Sequence, residues 1–271
     1  MTTLLYHART NGVICRRIAA HAPNIQVLGD KELEENNLTG LVIRWDSRHR
    51  VTSDETINTA EAVKLSRHKS ASRRALGNLA PTTWFQLADC RYPCIVRPRR
   101  HHAAKKFFVC QNEIELRRAV RRCGKDWYAS RVINKSLEYR VFVFQDHVIK
   151  IVRRFHPDPD AIAWNIANGG RSIRVRKESW PVNVAEAAVL AGRTLGLDWF
   201  AADIVIDADG GTPYVLELNT APGLEQEGTL KLLARLFKRV KTISQNTAIP
   251  QDTMTGNTWQ HLIHPALRSS Q

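Results

Sequence analysis

The sequence predicts a mixed α/β protein made of two or three tightly joined subdomains. Runs with strand character, at residues 41–45, 141–144 and 148–152, are interspersed with amphipathic helical stretches. The chain has 271 residues, 43% of them hydrophobic, with seven tryptophans, so it can bury a large core. A third feature is an acidic hairpin near the end of the packed region, turning at Asp209-Gly210-Gly211.

Composition narrows the class of protein. No stretch reaches the ~18 apolar residues of a membrane span, and the N-terminus lacks the basic start, apolar run and cleavage site of a signal peptide. The expectation is a cytoplasmic protein with no membrane partner. Five cysteines, none in a C-x-x-C pair, argue against a disulfide framework or a zinc site. Forty Lys and Arg against 26 Asp and Glu give a net charge of +14, which favours an acidic partner such as a nucleotide, an anionic peptide or a nucleic acid. A solvated basic surface explains that charge as well as nucleic-acid binding does, so nucleic acid is not the favoured partner.

In chain order, residues 1–57 read as an N-terminal α/β unit with a helix near 13–20 and a buried strand at 41–45. A second unit spans 58–130. A basic helical stretch from Thr56 to about Gly77 leads into it and ends before Pro81. Strands follow at 94–97 and 107–109, flanking a basic loop at 98–106. The next helix starts at Asn112 with Glu115 three residues on, a capping-box pattern, and stops at Gly124. Its apolar face is Leu116, Ala119, Val120 and Cys123, and its four arginines face solvent. The third unit, 131–242, starts with a hairpin turning across residues 145–147. A loop ending in Asn168-Gly169-Gly170, a helix opened by Asn183 with Glu186 and closed by Gly196, and strands at 202–207 and 213–219 come next. A helix with Leu230, Leu233, Phe237 and Val240 on one stripe completes it, and 243–271 read as a polar tail.

With the turn centred on Gly210, Asp203 lies as far before it as Glu217 lies after it. The two then face each other with Cβ atoms about 4.5–5.5 Å apart, and Asn219 shares their face. Facing carboxylates repel, and an oxygen-only set with an adjoining amide suits Mg²⁺. The alternative is a solvent-facing polar strand, which holds only if the acidic face is the wet one, because Ile204, Ile206, Leu216 and Leu218 bury the other.

The run from Asp203 to Gly223, ending Glu-Leu-Asn-Thr-Ala-Pro-Gly, resembles the metal-binding hairpin of ATP-grasp enzymes. Its wording is most similar to the ribosomal-protein glutamate ligases and related peptide ligases. The resemblance extends over about residues 58–240 and implies two α+β lobes that hold ATP between them. It implies Asp203, Glu217 and Asn219 as Mg²⁺ ligands and Lys69 as an early phosphate contact, where the pattern alone also allows a surface lysine. Arg97 stands where the family has a second phosphate-binding Lys, and the loop after it carries His101-His102-Ala103-Ala104 where glycines are usual. Arginine keeps the charge and adds a second hydrogen bond.

The same resemblance places Ile133 against the adenine, where the residue pattern alone also allows a core position. It gives Arg140, Arg153 and Asn168 catalytic positions, and it assigns nucleotide contacts to Arg154, Gly169 and Gly170. From the residues alone, Arg140 is either ion-paired or kept for an anion, the latter favoured, and one of Arg153 and Arg154 faces the pocket while the other turns away.

The implied reaction joins a carboxylate to an amine through an acyl phosphate, with ATP and Mg²⁺ as cofactors and ADP and phosphate as products. Substrates would be small-molecule or peptide carboxylates and amines, acidic ones fitting the charge. Two other readings stay open. One is a phosphotransferase on the same ATP site; the other is a nucleic-acid-binding or scaffold protein that retains the fold, in keeping with the +14 charge and the altered loop at 97–106.

Overall fold

Residues 1–57 contain four short strands, and in the computed structural model these form a fully parallel sheet. β1 (Thr2–Tyr6), β2 (Ile25–Gly29), β3 (Leu41–Trp45) and β4 (Glu55–Ile57) lie in the order β2-β1-β3-β4. Helix α1 (Val13–Ala19) makes the crossover from β1 to β2 that a parallel pair requires. Both central strands are buried throughout, which is why they lack polar alternation. β1 is easy to overlook in the sequence because Thr2 and Thr3 read as polar, yet both are buried. The structure describes residues 1–10, 12–33, 37–99, 107–158, 161, 164, 169–224 and 226–240.

The continuous helix expected from 56 to 77 is instead strand β4 followed by two helices, α2 (Ala60–Arg67) and α3 (Lys69–Leu76). The break is at His68, whose backbone is non-helical (φ −86°, ψ 86°) and whose ring Nδ1 accepts from Ala71 N at 3.3 Å. A ring nitrogen thus does the work of the usual N-cap oxygen. Thr59 caps α2 in the ordinary way, accepting from Ala62 N at 3.1 Å.

A second sheet, β5 (Thr83–Trp84), β6 (Cys94–Pro98), β7 (Phe108–Cys110) and β8 (Trp127–Arg131), is antiparallel in the order β5-β8-β6-β7. Helix α4 (Glu113–Cys123) packs on it over a small core of Cys94, Val96, Cys110, Leu116, Ala119 and Ala129. The expected cap is present: Asn112 accepts from Glu115 N at 3.0 Å, and the Glu115 carboxylate accepts from Gln111 N at 2.8 Å. Most of the basic loop, 100–106, lies outside the described residues.

The third sheet runs β11-β10-β9-β12-β13, all antiparallel. Its strands are β9 (Lys135–Phe144), β10 (His147–Phe155), β11 (Arg171–Arg174), β12 (Trp199–Asp207) and β13 (Pro213–Asn219). β9 and β10 join through Gln145 and Asp146, both at positive φ (45° and 61°), the left-handed pair that a tight hairpin needs. Helix α5 (Val182–Leu195), with α2 and α3, covers one face of this sheet; α6 (Glu227–Lys238) and the N-terminal unit cover the other. Asn183 does not cap α5. The helix starts at Val182 after Pro181, so Asn183 already lies in its first turn, where its side chain accepts from Val184 N and donates to Gly211 O. Gly196, at φ 67°, ends the helix as expected.

Asn58 ties the N-terminal unit to this sheet. It is fully buried at φ 63°, donates to Trp199 O at 2.6 Å, and accepts from the backbone of Asp198 and Trp199 at 2.9 and 3.0 Å. Trp45 and Trp199 stack beside it with ring centroids 5.4 Å apart. Among the described residues no helix is long and apolar enough to cross a membrane.

Candidate active site

The acidic hairpin brings Asp203 directly opposite Glu217, with Asn219 opposite Ala201. The route to that register is not the symmetric one. Near the turn Ile204 faces Val215 and Val205 faces Tyr214, so the hairpin is centred half a residue before Gly210. A register shift between Asp203 and Ile204 absorbs Leu216 as an extra residue and restores the facing pair.

Around this pair the protein supplies its own cations. Arg140, opposite Asp203 on β9, grips it with both prongs, Nε to Oδ1 and Nη2 to Oδ2, each at 2.7 Å. Arg154 Nη1 lies 3.2 Å from the same Oδ1 and donates to Glu138 Oε1 at 3.2 Å, while Lys135 donates to Glu138 Oε2 at 2.9 Å. Lys69, from the start of α3, donates to Glu217 Oε2. Asn219 Nδ2 reaches Glu217 Oε1 at 3.1 Å and Asp203 Oδ2 at 3.4 Å. The Lys69 ammonium holds the Glu217 carboxyl well below the usual carboxylate range, against a smaller opposing effect of burial.

Arg140 is therefore not kept free for an anion. Its same-face neighbours are aromatic, but the strand alongside offers a carboxylate, and the half-buried guanidinium takes it. Of the two adjacent arginines, Arg154 turns into the cluster; Arg153 is exposed on the other face of β10, so it stands apart from the charge network. Gly169, at φ 88°, and Gly170 lead into β11, where Arg171 pairs with Phe155, next in chain to Arg154. Asn168 lies outside the described residues.

A cavity of about 500 Å³ borders the cluster, between the second and third sheets. Ile95, Ile133, Val205 and Leu216 give it apolar walls; Arg73, Arg97 and Lys135 give it positive charge. Leu216, the bulge residue, adjoins Glu217, so apolar cavity and acidic pair meet there. Arg97, from β6, and Ile133, from beyond the end of β8, thus line one cavity, and Lys69 on α3 stands at its border through its contact with Glu217. On its far side Arg131 pairs with Asp207, and Asn134 donates to Asp209 at 3.3 Å, joining the end of β8 to the turn of the hairpin.

Sequence reasoning passed over Lys135 and Arg73 and gave Glu138 no role in the site. Glu138 was legible from its spacing, since on a strand the residue two before Arg140 shares its face. Arg73 was legible only from α3, being one helical turn from Lys69.

Among the described residues no group of three or more His, Cys, Asp or Glu side chains could hold a metal. A cation here would rest on two carboxylates and one amide. The donor set fits Mg²⁺ because all three side chains offer hard oxygens; in this structure the Asp203 oxygens are met by Arg140, Arg154 and Asn219, and those of Glu217 by Lys69 and Asn219.

No family model matches the chain. Among solved structures, the ATP-grasp ligase PsnB, complexed with a precursor variant, Mg and ADP, superposes with a TM-score of 0.62 at 14% identity, over 88% of this chain and 98% of that one. The fold is ATP-grasp. The D-alanine–D-alanine ligase of Bacillus anthracis shares it with a TM-score of 0.58 and 11% identity, over 88% of this chain and 98% of its own. In sequence, the ATP-grasp chain is 30% identical over 120 residues to a probable alpha-L-glutamate ligase of Legionella pneumophila, which is 42% of this chain. The match spans 38% of that relative's length.

Proposed function

We propose that the chain is an ATP- and Mg²⁺-dependent carboxylate–amine ligase that forms an amide or peptide bond and releases ADP and phosphate. The observation that carries the proposal is the meeting of Asp203, Glu217 and Asn219 with Lys69, Arg140 and Arg154 beside a cavity with apolar walls and a basic margin. Ligase relatives and ligase structures of the same fold support it. When bound, Mg²⁺ would be held by Asp203, Glu217 and Asn219 and would offset the charge of the nucleotide phosphates.

The protein's own residues have defined tasks in this reading. Ile95, Ile133, Val205 and Leu216 exclude water from the base, and Lys69 and Arg97 hold phosphate oxygens. Lys69 donates to Glu217 Oε2, and its three-donor ammonium keeps further N–H groups to offer a phosphate oxygen. Arg140 and Arg154 fix Asp203 in place. A carboxylate oxygen of the substrate attacks the γ-phosphorus and ADP leaves; the amine then attacks the acyl carbon, phosphate departs, and the amine gives up a proton. Neither step requires a protein nucleophile, so positioning and charge neutralisation suffice.

Substrates in this proposal are small or peptide carboxylates and amines, and the site of action is the cytoplasm, in keeping with free thiols at Cys15, Cys90, Cys94 and Cys110. The test is turnover with ATP and Mg²⁺ against a panel of amino acids and short peptides, with nucleotide, phosphate and product analysed together. ADP and free phosphate in equal amounts with an amide product are expected. AMP with pyrophosphate, or phosphate found attached to the product, contradicts the proposal.

A further inference from the structure

Arg73 is an arginine without the surroundings that normally justify burying one. It sits on α3 one turn after Lys69, is 7% exposed, and lines the 500 Å³ cavity. Its Nη1 is buried with no hydrogen-bond partner. Burial pushes the guanidinium below its ordinary pKa; Tyr128 and Glu217 draw the other way, and Arg97 adds to the depression. Among the described residues no carboxylate forms an ion pair with it. Arg97 lines the same cavity from β6, and its Nε is likewise buried and unpartnered.

Two guanidiniums lining one cavity, Arg73 buried and Arg97 half-buried, each with a buried and unused donor, cost the folded protein stability. An anion removes both penalties by cancelling the repulsion and accepting the idle N–H groups. The position of the pair specifies where on a ligand that anion lies. The same cavity has apolar walls at Ile133, Val205 and Leu216, and the acidic pair with Lys69 stands at its border.

We infer that Arg73 and Arg97 form a two-arginine receptor for the phosphates of a nucleoside polyphosphate, with Arg73 a specificity-determining residue. This rests on the proposed nucleotide reading of the cavity and adds to it a contact from α3. It also accounts for a chain that carries Arg97 before a loop without glycines: two side-chain forks supply donors that a glycine-rich backbone would otherwise provide.

The test compares wild type with Arg73→Met, which keeps apolar bulk and removes the charge, and with Arg73→Lys. Binding of ADP and of adenosine is measured by calorimetry with and without Mg²⁺, together with the ligand-free melting temperature. In Arg73→Met, ADP affinity should fall at least tenfold, adenosine affinity should stay within twofold, and the ligand-free melting temperature should hold or rise. Arg73→Lys should fall between the two. Undiminished ADP binding by Arg73→Met overturns the inference. So does equal loss of ADP and adenosine with a lowered melting temperature, which marks a purely structural arginine. Wild type that binds ADP no more tightly than adenosine also overturns it while sparing the cavity as a nucleoside site. Wild type that binds neither ligand removes the nucleotide reading and the receptor together.

Discussion

Asp203 and Glu217 face one another, yet they depend on their surroundings in different ways. Asp203 is 5% exposed and held by Arg140 and Arg154. The repulsion expected between the carboxylates is thus already offset by protein cations. Replacing Asp203 with Ala removes a partner of the buried Arg154 guanidinium and the two-pronged partner of Arg140, and metal-free stability should fall by about 3–5 kcal/mol. Glu217 and Lys69 are more open, with side chains 34% and 20% exposed, so Glu217→Ala should cost about 1 kcal/mol. Both should abolish the proposed Mg²⁺-dependent turnover. Urea denaturation separates them, and equal losses would refute the assignment of the anchoring role to Asp203. Glu217 also carries a pH signature. Lys69 depresses its folded pKa, so the pair's contribution is complete above the unfolded value of roughly 4.3 and is lost as pH falls from there towards the folded value. Lys69→Met should move the Glu217 titration, followed by carbon NMR of the carboxyl, up into the ordinary carboxylate range. A titration unmoved by that change would show that Lys69 is not its cause.

At the scale of elements, the strands and helices with strong periodicity were legible, and the joints were less so. The β12–β13 hairpin shows why the right pairing can come from an incomplete rule. Symmetry about Gly210 puts Asp203 against Glu217, while the real turn is offset and a bulge at Leu216 makes up the difference. A bulge has no sequence signature here, because Leu216 continues the apolar pattern. The split between α2 and α3 was hidden for a similar reason: His68 is polar on a polar face, and only its ring hydrogen bond to Ala71 N shows that it opens a new helix. Asn58 is the plainest case of a joint the pattern does not mark. Three hydrogen bonds link its buried side chain to the start of β12. Asn58→Ala leaves two backbone N–H groups and a carbonyl without partners, each worth about 1–3 kcal/mol, and keeps a non-glycine residue at φ 63°. A loss of at least about 3 kcal/mol in chemical denaturation is expected; a loss below about 1 kcal/mol would show that water replaces the bonds and that the joint is held by the Trp45–Trp199 stack instead.

At the scale of the whole molecule, the candidate site has no core of its own. Its residues come from α3, from β6 and the end of β8, and from the strands β9, β10, β12 and β13, so two sheets with separate hydrophobic cores meet at one cavity. The second sheet is the smaller partner. Its core is a few residues under α4, and its polar links to the third sheet include the Arg131–Asp207 and Asn134–Asp209 pairs at the end of β8. A unit with a small core opens at lower free energy than a large one, and a ligand that touches both units stabilises them by mass action, by about 2.7 kcal/mol at a hundred times its Kd. If the nucleotide contacts Arg97 on β6 and Ile133 after β8 on one side, and Leu216 on the other, saturating ADP with Mg²⁺ should slow amide exchange across β6 and β8 more than in α6, which lies on the opposite face of the third sheet among the buried residues of the N-terminal unit. Hydrogen exchange followed by mass spectrometry resolves these segments. Arg97→Ala should weaken the protection of β6 and β8 at a fixed ADP concentration and raise the KM for ATP, with Arg97→Lys between it and wild type. Protection confined to β12 and β13, with β6 and β8 exchanging as they do without ligand, would mean that the nucleotide does not touch the second sheet and that Arg97 has no part in binding it.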